Sequence, residues 1–308
     1  MSTEKLVIIG SGVAGLTAAL YTARASASPL VVEGSEPGGQ LGLTSLVENY
    51  PGFPEGIEGP ELVQRMRQQA ERFGARYLQD NVLRVDLSQR PFKLELEYQE
   101  PIQTHSLIIA SGARARLLGL PGEQEQLGRG LSTCAVCDGA FYKGKKVIVV
   151  GGGDSAMEDS TFLTRYASSV TVVHHRDQLR ASVIMQERAR SRGIRFVWNT
   201  KVVGFGTGER GLLNRVTLKD VVTGEEREEP VDGLFLAIGH IPNTEMLSGQ
   251  LELDDHGFIR AQGVRTSVKG VFVAGDVADA VYQQAVTAAG SGCQAALEAE
   301  EYLQELGI

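Results

Sequence analysis

One segment of this chain occurs twice. Sliding the sequence by 141 residues lays Lys5–Ser35 over Lys146–Arg176, apolar run on apolar run and glycine turn on glycine turn. In the first copy, Leu6-Val-Ile-Ile9 runs into Gly10-Ser-Gly-Val-Ala-Gly15, then the alanine-rich stretch Leu16–Ser26, then Pro29-Leu-Val-Val-Glu33. The second copy has Val147-Ile-Val-Val150, then Gly151-Gly-Gly-Asp-Ser-Ala156, and later Val170-Thr-Val-Val173. Short apolar runs ending in glycine predict buried parallel strands, and the alanine-rich stretch predicts a helix between them. Each copy is therefore a βαβ unit carrying G-x-G-x-x-G, or G-x-G-x-x-A in the second. Glycines at those spacings permit a tight turn and close backbone approach, and the following helix N-terminus attracts a pyrophosphate. Two such units in register predict an α/β protein with two Rossmann-like dinucleotide-binding domains. A chain of 308 residues is long enough for both.

The two copies end differently. Glu33 follows Gly10 by 23 residues, close to the spacing of an acceptor for a ribose hydroxyl. The second copy ends in His174-His175-Arg176, with Arg180 close by. An acid suits a free 2′-hydroxyl, and cations suit a 2′-phosphate. The first site is thus expected to take FAD or NAD, and the second NADP.

Between the copies lies Leu131-Ser-Thr-Cys-Ala-Val-Cys-Asp-Gly139, with Cys134 and Cys137 three apart and Asp138 beside the second. A close cysteine pair in a cytosolic chain is redox-active or metal-binding. Zinc would need a second half-site. Cys293, the third and last cysteine, stands alone, and His174-His175 close a strand, so no metal is expected. A dithiol flanked by two dinucleotide turns suggests an electron relay.

A formal charge of −8 argues against nucleic acid as a partner. No apolar run approaches the roughly 20 residues that span a bilayer. Met-Ser-Thr-Glu-Lys leads directly into a strand with no room for a leader, so the expected compartment is the cytoplasm. Elsewhere, Gly34–Gly59 reads as loop, Pro60–Phe73 as a scaffold helix and Arg76–Tyr98 as alternating strands. Leu107–Ala110 reads as a buried strand. Further strands are expected at Arg195–Trp198, Arg215–Lys219, Leu234–Gly239 and Gly270–Asp276, with helices at Ser182–Ser191 and Gln283–Leu306.

Together these motifs resemble the low-molecular-weight thioredoxin reductases of the pyridine-nucleotide disulfide oxidoreductase superfamily, over essentially the whole chain. The markers are Gly10–Gly15, Gly38-Gly-Gln-Leu41, Val47-Glu-Asn49, Cys134-x-x-Cys137-Asp138, Gly151–Ala156, Ala237-Ile-Gly-His240, Gly275-Asp276 and Ala285–Cys293. The resemblance implies a discontinuous FAD domain, 1–112 plus 244–308, with an NADPH domain, 113–243, inserted in it. It implies FAD contacts from Gly10, Gly12, Gly15, Glu33, Gly38, Gly39, Gln40, Leu41 and Asn49, and from Gly275, Asp276, Gln283, Gln284 and Ala285. For NADPH it implies Gly151, Gly153, Asp154, Ser155, His175, Arg176, Arg180, Ile238 and Gly239. Cys137 is assigned to the flavin, Cys134 to attack on a thioredoxin-like partner and Asp138 to proton transfer. The homodimer is the usual assembly.

Three positions depart from the family pattern. His175 replaces an arginine in the cationic run, Gln283 replaces the arginine of Tyr-Arg-Gln-Ala, and Ala140 replaces the first of two phenylalanines. A neutral histidine lowers affinity for a 2′-phosphate. Beside the NADPH-driven enzyme there stand a same-fold disulfide reductase using ferredoxin or another donor, and a flavin-binding redox sensor without turnover.

Overall fold

The computed structural model describes residues 3–42, 46–247 and 249–308. It divides into two compact units, Met1–Arg114 with Ile241–Ile308, and Ala115–His240. The architecture is α/β, as the repeated unit requires.

In the first unit, the strand Thr3–Ile9 pairs in parallel with Leu30–Val32 on one side and Ile102–Ile109 on the other. Arg76–Leu78 extends the sheet beyond Leu30–Val32, and Val271–Val273 pairs with the C-terminal half of Ile102–Ile109. Phe92–Leu96 and Val82–Asp86 complete it as an antiparallel edge. The alternation in Arg76–Tyr98 is thus a short parallel strand followed by a hairpin. One face of the sheet packs on the helices Val13–Arg24 and Ala285–Glu305 through Ala14, Ala18, Ala295, Ala299 and Tyr302. The small residues let those helices approach closely: a side chain at Gly292 would collide with the Ala14 carbonyl. The other face is sealed by Phe92, Leu94, Leu247 and Ile259.

In the second unit, five parallel strands lie in the order Leu131–Ser132, Gly233–Leu236, Lys146–Val150, Ser169–Val173, Arg195–Val197. The helices Asp154–Leu163 and Val183–Ser191 cover one face through Met157, Leu163, Met185 and Ala189. A three-stranded antiparallel sheet, Thr200–Thr207, Leu213–Asp220 and Glu226–Pro230, covers the other through Val202, Val216 and Leu218. Thr200–Thr207 escapes a sequence reading because Gly204 and Gly206 break its alternation. Its pairing register shifts between Val202 and Gly204 and again after Gly206.

The segment Gly34–Gly59 is not plain loop. It holds a short helix, Gly39–Gly42, and an antiparallel strand pair, Leu46–Val47 with Ile57–Glu58. Val47, Ile57 and Leu62 make a small satellite core with Leu41, Tyr50 and Phe53. Two-residue strands among glycines and prolines leave no periodicity to detect. Leu43–Ser45 of this segment, the first two residues and Ser248 lie outside the described residues.

Candidate dinucleotide and disulfide sites

The sequence repeat survives as a hydrogen-bond repeat. The Gly10 amide donates to the Val32 carbonyl at 2.8 Å, and the Gly151 amide donates to its counterpart Val173 at 3.2 Å. The Ala110 amide donates to Ile9 at 2.8 Å, and Ala237 donates to Val150 at 2.9 Å. Gly10 and Gly151 have φ of 101° and 156°, in the region that favours glycine. A Cβ on either would run into the neighbouring strand's carbonyl, that of Ala110 or Ala237. The third motif position touches the first: a Cβ on Gly15 would collide with the Gly10 carbonyl oxygen.

The middle glycines behave oppositely. A Cβ at Gly12 or Gly153 meets nothing within 4 Å. These residues cap Val13–Arg24 and Asp154–Leu163 without any side chain turned onto the first amides. Open space above uncapped helix N-termini is what a pyrophosphate needs, so both turns fit the dinucleotides the sequence implies.

Around the first turn, Gly39 packs beside Gly12, and the Ser11 hydroxyl accepts from the Gly38 amide at 3.1 Å. This draws the Gly38–Leu41 segment over the turn. A cavity of about 390 Å³ opens there, with Ser11, Glu33, Gly38, Gln64 and Arg67 in its wall. Gln40 and Leu41 continue into the short helix. Asn49 donates to the Gln284 side chain at 3.3 Å. Gln284 caps the C-terminal helix reciprocally with Thr287, and Ala285 is that helix's first residue. Gln283 has a left-handed φ of 50°. It is held there by Asp279, whose carboxylate accepts from the amides of Val281, Tyr282 and Gln283 at 2.8–3.2 Å. The Gly275 amide donates to Ser291 at 2.9 Å. Asp276 beside it makes no hydrogen bond or ion pair to another described residue. Burial, with Asp279 adding to it, pushes its carboxyl up to about 6. A desolvated acid without a protein partner suits a ligand that brings its own hydroxyl donors.

The second turn is overlaid by the arm carrying the cations. The amides of Arg180 and Ala181 donate to the Gly152 carbonyl at 2.7 and 3.0 Å. The Asp154 carboxylate is engaged by Ser182, while Ser155 lies exposed at the helix start. His175, Arg176 and Arg180 are exposed. Partial burial, then Arg176, Lys201 and Arg180, hold His175 below the usual histidine range, so it is neutral near pH 7. His174 differs. It is 3% exposed, both ring nitrogens are buried without a hydrogen bond, and its ring fills the space beneath Gly152. Ile238 and Gly239 follow the strand Gly233–Leu236, and the Gly239 carbonyl accepts from the Arg116 amide at 2.9 Å.

In this second unit, Cys134 and Cys137 form a disulfide. Leu131–Ser132, the edge strand of the parallel sheet, delivers them. The buried Ser132 hydroxyl accepts from the Cys134 amide at 3.1 Å. Cys134 caps the short helix Ala135–Asp138, its sulfur accepting from the Cys137 amide at 3.1 Å. Both cysteines are half-buried, while Val136, Ala140 and Phe141 around them are exposed. Burial pushes the Asp138 carboxyl above the ordinary range, and the Ser132 hydroxyl pulls the other way. Tyr142, behind it, is pushed up to about 12 by burial and then by Asp138 and Asp232, so it stays protonated. The site therefore joins a reducible disulfide to an acid that keeps its proton to higher pH than an exposed aspartate.

Sequence reasoning missed Arg67, Ser132 and Ser182. Only Ser182, a helix-capping type just before an apolar run, carries a local signal. The other two depend on tertiary contacts.

Two dinucleotide turns and a disulfide beside a half-buried acid define a nucleotide-dependent disulfide oxidoreductase. The family model for pyridine nucleotide-disulphide oxidoreductase matches residues 4–292. Thioredoxin reductase of Mycolicibacterium smegmatis is 52% identical, covering 99% of both chains, and that of Streptomyces clavuligerus is 52% identical over 98% of this chain and 95% of the relative. The solved thioredoxin reductase from Giardia duodenalis superposes with a TM-score of 0.91 at 41% identity, over 99% of this chain and 100% of that one. The chain belongs to the pyridine nucleotide-disulphide oxidoreductase family, and its relatives there are thioredoxin reductases. It is an FAD-dependent oxidoreductase. No helix among the described residues is long and apolar enough to cross a membrane.

Proposed function

We propose that the chain is a thioredoxin-disulfide reductase, carrying two electrons from NADPH through FAD and the Cys134–Cys137 pair to a thioredoxin-like protein. The net reaction is NADPH plus a proton plus thioredoxin disulfide, giving NADP⁺ and thioredoxin dithiol. The observation that carries the reading is the Cys134–Cys137 disulfide beside the half-buried Asp138, in the unit that holds the second dinucleotide turn.

In this reading the first unit holds FAD. Gly10 and Gly15 close the tight turn and Gly12 leaves room for the pyrophosphate, Glu33 accepts from the adenosine ribose, and Gly38–Leu41 and Asn49 line the approach to the flavin. Asp276 accepts from the ribityl chain, and Gln283–Ala285 flank the ring. The second unit holds NADPH: Gly151–Ser155 receive the pyrophosphate, Arg176 and Arg180 with His175 face the 2′-phosphate, and Ile238-Gly239 border the nicotinamide half. When bound, these cofactors supply the hydride chemistry that delivers an electron pair to the disulfide. Cys137 is the sulfur on the flavin side. Cys134, its thiolate favoured by the Cys137 amide, attacks the partner disulfide. Asp138 holds the proton that a departing sulfur takes up. The reading also makes the enzyme a cytoplasmic homodimer, as its family resemblance implies.

Anaerobic mixing tests it. NADPH is expected to bleach the oxidised flavin band within seconds, and turnover with thioredoxin is expected to follow. Bleaching by reduced ferredoxin but not by NADPH would replace the donor and keep the rest. Cys134→Ser is expected to retain flavin reduction and lose thioredoxin reduction, and continued thioredoxin turnover would contradict the sulfur roles.

A further inference from the structure

The helix Gly59–Glu71 reads as scaffold from its sequence, yet Arg67 stands in the wall of the first nucleotide cavity together with Glu33. Glu33 lies at the end of Leu30–Val32, and its side chain is 5% exposed, so its carboxylate needs a partner. Arg67 is that partner, with Nη1 donating to Glu33 Oε1 at 2.7 Å. The guanidinium is itself fixed from two other directions. Its Nε donates to Glu71 at 2.9 Å, and its Cζ lies over the Tyr77 ring, 4.2 Å from the centroid.

This arrangement leaves one oxygen and one nitrogen over. Glu33 Oε2 and Arg67 Nη2 have no hydrogen-bond partner among the described residues, and neither is a fully buried orphan. A free carboxylate at this depth would swing between rotamers. Held by one oxygen, it presents the other in a single direction.

We propose that Arg67 is a positioning residue for the adenosine half of the flavin cofactor: it locks Glu33 so that Oε2 accepts from the ribose diol. A lysine cannot reproduce this, because a single ammonium lacks the fixed fork whose Nε and Nη1 reach Glu71 and Glu33 separately. The inference rests on the reading that the first unit binds FAD.

The test uses protein stripped of flavin and titrated with FAD by fluorescence quenching, with ADP and 2′,3′-dideoxy-ADP as competitors. Wild-type protein is expected to prefer ADP over the dideoxy compound by tenfold or more. In Arg67→Gln the preference is expected to collapse to within about twofold, with FAD affinity falling at least tenfold. Arg67→Lys keeps the charge and guards against a variant that does not fold, and its preference is expected to fall at least threefold. Full preference in either folded variant overturns the role given to Arg67. Wild-type protein that binds neither FAD nor ADP overturns the site reading itself, a result distinct from a preference that ignores Arg67.

Discussion

The carboxylate of Asp154 accepts hydrogen bonds from both the amide and the hydroxyl of Ser182, at 2.7 and 3.1 Å. By spacing alone, Asp154 belongs to the nucleotide turn. The geometry gives it a second task, because Ser182 ends the arm that carries His175, Arg176 and Arg180 and that folds back onto the Gly152 carbonyl. Asp154→Ala is expected to release that arm. In steady-state kinetics the KM for NADPH should rise about tenfold while kcat stays within about twofold, the pattern of lost ground-state binding. Stability should fall by about 1–2 kcal/mol, the loss of a charge-assisted hydrogen bond. An unchanged KM would mean that the arm holds its place without Asp154.

The neutral state of His175 bears on cofactor choice. Partial burial, then Arg176, Lys201 and Arg180, disfavour its protonation, so near pH 7 it offers a ligand a hydrogen bond but no charge. His175→Arg is expected to tighten NADPH binding several-fold and to raise the preference for NADPH over NADH. In the wild type, NADPH affinity should rise as pH falls through the depressed histidine range, and that slope should vanish in the arginine variant. Titration calorimetry at several pH values reads both effects. A variant with wild-type affinity would show that position 175 never meets the phosphate.

Asp138 should leave its mark on the alkaline side of the pH–rate profile. Burial raises its pKa, so it keeps its proton to higher pH than an exposed aspartate and loses it as pH rises through the raised value. Thiol–disulfide turnover with thioredoxin should fall across that transition. Asp138→Asn should lower kcat by roughly 10²-fold, within the range for losing a positioned acid, and should erase that limb. Retention of the limb in the variant would assign it to another group.

How much of this was legible beforehand varies with the kind of contact involved. The glycine turns were readable because backbone geometry demands glycine where Gly10 and Gly151 meet neighbouring carbonyls, and that demand is local. The dithiol was readable because its chemistry is written in three-residue spacing. Arg67 was not, since an arginine on an amphipathic helix looks like any solvated cation until Tyr77 and Glu33 fold around it. Nor was His174, which sits beside His175 in sequence and in an opposite environment in space, with the rings only 4.7 Å apart. The strand ends at Val173, so no alternation carries on into the two histidines to tell which of them is buried.

Asp159 offers a measurement independent of catalysis. It lies on the helix Asp154–Leu163, one turn before Phe162 and Leu163, which pack against Gly139 behind the disulfide. Burial, reinforced by Glu158, pushes its carboxyl from an ordinary 3.8 up to about 7. Between those values the folded chain holds a proton that the unfolded chain has released. Stability must therefore fall as pH rises through that window and level off above about 7. Asp159→Asn removes the titration while keeping the shape. The variant is expected to match the wild type near the acid end of the window and to exceed it by on the order of 2 kcal/mol above the neutral end. Urea unfolding of the holoenzyme at the two ends reads the difference. An equal gain at both ends would trace the effect to packing rather than to the buried charge, and a loss at the alkaline end would show that the ionised carboxylate has a partner in solution.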